Sequence, residues 1–129
     1  METNKGKEVF YAKNRQQWRQ WLEKHGQSKT EVCLILYKKD SDTPCVSYPE
    51  AVEEALCFGW IDSLTNKRDE DSRYQRFSPR GPKSNWSKSN VERVEKLLAA
   101  GLMTPHGQKH VDIAKGNGKW EAAKAAVSR

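Results

Sequence analysis

The run Val32-Cys33-Leu34-Ile35-Leu36-Tyr37 constrains this chain most. Six residues are too few for a stable helix. An unbroken apolar, β-prone run of that length reads as a strand buried on both faces. It ends in Lys38-Lys39-Asp40-Ser41-Asp42-Thr43-Pro44, a charged turn. No apolar stretch is longer, so no transmembrane helix is expected. The N-terminal Met-Glu-Thr-Asn-Lys-Gly-Lys-Glu lacks the apolar core of a signal peptide, which points to the cytoplasm. A length of 129 residues suits one domain over 1–129, with residues 1–7 as a loose polar end.

The other elements are amphipathic around that strand. Val9, Phe10 and Tyr11 suggest a short strand. Asn14 caps a helix carrying Trp18, Trp21 and Leu22 on one stripe, closed at His25-Gly26 by a left-handed cap. Ser47-Tyr48-Pro49-Glu50 is a capping box opening a helix that stops at Gly59. Trp60 to about Asn66 and Arg73 to Phe77 form a hairpin across a charged turn at Lys67 to Asp71. Ser78-Pro79-Arg80-Gly81-Pro82-Lys83-Ser84 breaks any ladder. Ser89 with Glu92 starts the next helix and Gly101 ends it. Thr104-Pro105 begins another through about Lys115, and Trp120 to Val127 is a last Ala-rich helix or a frayed tail. Strands and helices do not alternate regularly. The expected fold is α+β: a small, mainly antiparallel sheet with helices packed on one face and a helical C-terminal part.

Charge is uneven. The formal net charge is +6, yet residues 1–65 sum to −1 and residues 66–129 to +7. From Arg73 to Asn90 stand five basic residues and no acid. That local excess suits an anionic partner. Two constellations could carry chemistry. In Cys57-Phe58-Gly59-Trp60-Ile61-Asp62-Ser63, a strand would set Trp60, Asp62 and Leu64 on one face, a carboxylate beside an indole at a glycine turn. Asp62 needs a partner if buried, and the arginines of the next strand and loop are the candidates for an ion pair. The second runs from Arg76-Phe77-Ser78-Pro79-Arg80 to Ser84-Asn85-Trp86-Ser87-Lys88-Ser89-Asn90. Arginine forks, hydroxyls and free amides before a capped helix bind phosphate and carboxylate groups, and Trp86 offers a flat face. Ser84, Ser87, Ser89 and Asn90 can equally be turn formers and caps.

Several chemistries find no support. Cys33, Cys45 and Cys57 make an odd count without a C-x-x-C pair, which reads as reduced thiols. Cys57 sits at a helix C-terminus, where the dipole raises a thiol pKa rather than activating it. His106 and His110 are spaced i, i+4 with no third ligand nearby, so no metal is expected. No nucleotide-binding glycine loop or nucleophile elbow occurs, and no cofactor is expected.

The segment Ala51-Val52-Glu53-Glu54-Ala55-Leu56-Cys57-Phe58-Gly59-Trp60-Ile61-Asp62-Ser63 resembles the signature of the YdeI/OmpD-associated family, whose members are often labelled bacteriocin-protection proteins. The likeness continues at Arg76-Phe77-Ser78-Pro79-Arg80, at Ser84-x-Trp86-Ser87-x-x-Asn90, at Gly101-x-Met103 and at Ala114-Lys115 with Trp120. The resemblance implies a small bacterial protein connected with resistance to bacteriocins and cationic antimicrobial peptides. It brings no settled reaction, ligand or catalytic residue. Many members continue past the Trp120 segment into a further helical extension, where this chain ends at Arg129.

The expected function is therefore a cytoplasmic bacterial binding protein that takes an anionic small molecule in a Trp/Arg-lined site. Trp60 and Trp86 would wall it, Arg76 and Arg80 would hold the anion, and Asp62 would orient an arginine or accept a ligand hydrogen bond. Ser84, Ser87 and Asn90 complete the set. One alternative is nucleic-acid binding through the basic half, with Tyr74, Phe77 and Trp86 stacking on bases; Asp69, Glu70 and Asp71 oppose it. Others are an enzyme with Asp62 as general base, for which no acid–base partner is evident, and a protein adaptor using surface Trp residues.

Overall fold

The computed structural model describes residues 2–126. Its central strand is the apolar run, here β3 (Val32–Tyr37), and every residue in it but Tyr37 is buried. Two strands precede it, β1 (Thr3–Asn4) and β2 (Lys7–Phe10), and two follow, β4 (Trp60–Asp69) and β5 (Ser72–Pro79). They form one five-stranded sheet in the order β1-β2-β3-β5-β4. The β2–β3 pair is parallel, with Val9 opposite Cys33; the other three pairs are antiparallel. The fold is thus α+β with a mixed, mainly antiparallel sheet.

The two faces of β3 are buried by different means. Val32, Leu34 and Leu36 join Phe77 and Trp60 in the main core. That core is closed by α1 (Arg15–His25) and α2 (Tyr48–Cys57), with Trp18, Trp21, Leu22, Val52 and Leu56 packed into it. Cys33 and Ile35 point the other way, opposite Arg76 and Tyr74 of β5, and are still only 1% and 4% exposed. Long side chains cover that face. Arg76 pairs with Glu31 at 2.9 Å, and Arg68 and Tyr74 both bond Glu2. Aliphatic stems lie on apolar surface there while charged heads stay at the rim.

The helical C-terminal part comprises α3 (Lys88–Ala99), α4 (Pro105–Gly116) and α5 (Lys119–Ala125). α3 and α4 pack against α2, and α5 packs against both. No helix among the described residues is long and apolar enough to cross a membrane.

Capping side chains set most helix starts. The Asn14 side chain accepts from Gln17 N at α1, Thr104 from Gly107 N at α4, and Ser47 forms the expected reciprocal box with Glu50 at α2. Elsewhere the local expectations need correction. Ser87, not Ser89, caps α3, accepting from Asn90 N, because the helix starts two residues earlier. Gly26 ends α1 in a right-handed conformation (φ −62°), since the chain continues into a tight turn in which Ser28 and Lys29 bond back to His25 O. Thr3 and Asn4, expected in a loose end, pair with Glu8 and Lys7. The hairpin strands extend through most of the charged turn, because charge is tolerated on an edge strand. A register shift between Asp62 and Thr65 turns Leu64 outward to 69% exposure, away from the face of Trp60 and Asp62. The buried Gln75 amide donates to Ser63 O and Leu64 O and so pins this bulge. The last segment is helical from Lys119 to Ala125; Val127 lies outside the described residues, as does Met1.

Candidate functional site

The Cys57–Ser63 segment crosses from α2 to β4 through Gly59, whose φ of +77° needs glycine. Glycine is required here for a second reason. A Cβ at this position would lie 2.5 Å from His110 Cδ2 and 3.0 Å from His106 O. The turn therefore meets the first half of α4 at both its backbone and a side chain. On the near side, the Gly26 carbonyl accepts from Trp60 Nε1 at 3.0 Å, tying the loop after α1 to the same place.

These three approaches leave a hollow of about 300 Å³ between them. Its walls are the loop Gly26–Thr30, the turn Phe58-Gly59-Trp60, Pro79, and His106, Lys109 and His110 of α4. No carboxylate among the described residues lines it. Lys29 pairs with Glu8 at 3.1 Å, whereas Lys109 has no ion pair among the described residues.

Arg80 lies behind this wall. Its backbone N–H donates to Gly59 O at 2.8 Å, and its side chain runs into the interior, leaving the residue 4% exposed. Nη1 donates to Ser84 Oγ at 3.0 Å and Asn85 O at 2.9 Å. Trp86 covers the guanidinium face, with Cζ 3.9 Å from the ring centroid, and itself packs edge-on against Trp120. Nε and Nη2 are buried and have no hydrogen-bond partner among the described residues, and neither does His110 Nδ1. No carboxylate comes within ion-pairing distance of Arg80 among the described residues. Burial lowers its pKa to about 10, opposed by the more distant charge of Asp62. The His110 pKa is also lowered, first by burial and then by Arg80 and Lys109. A guanidinium in that setting is a buried cation whose compensation is incomplete.

The structure thus divides the expected site residues. Arg80, Ser84 and Trp86 converge. Ser87 caps α3, and Asn90 supplies the amide that it accepts from and bonds Arg93. Trp60 is 1% exposed, part of the core, and touches the hollow only at its edge. Trp86 borders a separate shallow recess with Lys119 and Ala123, so the two indoles do not wall one cavity. Arg76 lies on the far face of the sheet with Glu31 and Ser63. Asp62 accepts from Tyr48 Oη at 2.6 Å in place of the expected arginine, because Tyr48 opens α2 directly over that face. Burial, with Asp62 second, pushes the Tyr48 pKa up to about 12. The Cys57 thiol is likewise raised, to about 11, chiefly by burial rather than by the helix dipole.

Sequence reasoning misses Lys29, Lys109 and the wall role of the two histidines. The spacing of His106, Lys109 and His110 over one helix face is the available signal. Gly59 brings the backbone of Arg80 to the same turn.

The sequence profile of one family matches residues 10–110, most of the chain. The chain belongs to the family described as Domain of unknown function (DUF8412). The DUF8412 match contains every wall of the hollow and ends on His110, leaving α5 and Trp120 beyond it. No curated protein and no solved structure matches the chain.

Proposed function

We propose that this DUF8412 protein is a small bacterial binding protein that takes an anionic small molecule in the hollow at the Gly59 turn. One observation carries the reading. Among the described residues, Arg80 is a buried guanidinium with no carboxylate in ion-pairing distance, set behind a wall of His106, Lys109 and His110 that holds no acid. Buried charges in proteins are paired or hydrogen-bonded, and an anionic ligand supplies the missing partner. The likeness to YdeI/OmpD-associated proteins gives the proposal its cellular setting, cytoplasmic stress or bacteriocin protection. Nucleic-acid binding has weaker support. Arg73 faces Tyr48, Arg76 pairs with Glu31 across the sheet and Arg80 is buried, so the basic stretch makes no continuous stripe.

The test is a titration with small oxyanions, followed by amide resonances of Gly59, Lys109 and His110 and by thermal unfolding. A ligand at a hundredfold its Kd stabilises by about 2.7 kcal/mol, a rise of several degrees for a domain this size. Lys109→Gln should weaken binding and leave the fold intact. If no oxyanion at tens of millimolar moves those resonances, the reading fails.

A further inference from the structure

We infer that the anionic group is a carboxylate, held two-pronged on the Nε–Nη2 edge of Arg80; this rests on the anion-binding reading above. The guanidinium has its donors divided by geometry. Both N–H groups of Nη1 are used, on Ser84 Oγ and Asn85 O. One face is covered by Trp86. What remains is the edge where Nε–H and an Nη2–H run parallel, and both of those nitrogens lack partners among the described residues. That edge matches the spacing of two oxygens on one planar group, the arrangement that favours bidentate carboxylate recognition. The contacts on Nη1 and the stacked indole fix the fork before the ligand arrives, so little ordering remains for binding.

Charge favours a carboxylate over a phosphate. Arg80 is the one buried permanent cation at the site among the described residues, and a dianion would bring a second charge out of water with no second buried cation to meet it. Lys109 stands at the exposed rim. His110 is the natural door. It lines the hollow, lies within charge range of Arg80, and leaves its own Nδ1 without a partner. Because position 59 has no Cβ, its ring can lie close against the turn. In the bound state the imidazole turns aside and the carboxylate passes from the hollow to the fork.

The experiment titrates the full-length, nitrogen-15-labelled protein with propionate and, separately, with inorganic phosphate at matched ionic strength. Propionate should shift the Arg80 Nε–H resonance and phosphate should leave it in place. Arg80→Lys keeps the charge and removes the fork, and it should bind propionate at least tenfold more weakly. If that variant does not fold, the wild-type titration decides alone. A shift of Arg80 Nε–H by phosphate but not by propionate overturns the carboxylate assignment. So does movement of the Lys109 and His110 resonances while Arg80 Nε–H stays fixed, and in both cases anion binding itself survives. Silence at every one of these resonances removes both proposals.

Discussion

The Arg80 guanidinium lies 3.9 Å from the centre of the Trp86 ring, and Trp86 in turn meets Trp120 edge-on at 5.2 Å. This stack joins three parts of the chain: the Pro-Arg loop, the approach to α3, and α5. A cation over an indole is worth about 2 kcal/mol when water is excluded, and the packed ring adds apolar burial. Trp86→Ala should therefore cost about 2–4 kcal/mol in urea unfolding, and Trp86→Phe less than half of that. Equal losses for the two variants would show that a second aromatic face restores nothing, and that stacking on the Arg80 guanidinium is not what the indole contributes.

The buried carboxylate Glu54 holds α1 to α2. Its residue is 3% exposed, and its two oxygens accept from Arg15 and Arg19, with Arg15 Nη2 at 2.5 Å and Arg19 Nη1 at 2.9 Å. Removing one member of a buried ion pair leaves the others uncompensated, at about 3–5 kcal/mol; the partial exposure of both arginines puts this site at the low end. Glu54→Ala should lose about 3 kcal/mol by denaturant titration. Glu50, which only grazes Arg15 at 4.0 Å, should lose its cap on Ser47 and little more, about 1 kcal/mol.

How far these features are legible in the sequence follows from the range of the interactions. The apolar run of β3, the Ser47–Glu50 box and the Thr104-Pro105 start are written in consecutive residues, and the structure has each where the pattern puts it. The bulge at Asp62 is not, because it depends on Gln75 reaching across from the neighbouring strand. Likewise, Arg80, Ser84 and Trp86 are close in sequence and meet in space, whereas residue type alone assigns Trp60 and Arg76 to the site. Register decides their fate: Arg76 sits opposite Cys33, on the face away from Phe77, and no local pattern reveals which face the hollow will occupy.

The Cys57 thiol should be inert in the folded protein. It is fully buried, and its pKa stands near 11. The thiolate needed for attack is then scarce at neutral pH. Cys45 is only half-buried, although burial raises its pKa too. A thiol-reactive disulfide reagent should modify Cys45 first and reach Cys33 and Cys57 only at the rate of unfolding. Fast modification of Cys57 in native buffer would contradict the packing of α2 against α4.

His110 makes stability depend on pH in a defined direction. Its folded pKa lies below the ordinary 6.5, set by burial and by Arg80 and Lys109; His106 and Lys29 are the remaining titratable groups around the hollow. As pH falls through about 6.5 the unfolded chain takes up this proton and the folded chain does not. This contribution to stability is therefore complete above that range and is lost as pH falls toward the folded pKa. Urea midpoints measured from pH 8 to 5 should decline more for the wild type than for His110→Gln. A bound anion should reduce the difference, since negative charge beside the ring raises its pKa.

Gly59 should be the least replaceable residue of the turn. An alanine there meets two obstacles at once. The left-handed φ of +77° costs about 1 kcal/mol for a residue with a Cβ, and the added carbon would sit 2.5 Å from His110 Cδ2. Gly101 offers a control: its φ is +73°, but nothing stands within 4 Å of the place a Cβ would take. Gly101→Ala should thus lose about 1 kcal/mol, the backbone share alone. Gly59→Ala should lose about 2–4 kcal/mol, because either α4 shifts or the imidazole is driven into the hollow. The second route also blocks the hollow through which a carboxylate would enter, so Gly59→Ala should abolish the propionate response even under conditions where the variant remains folded. Equal stabilities for the two alanine variants would mean that His110 yields freely, and the close approach of α4 to the turn would then place no constraint on the site.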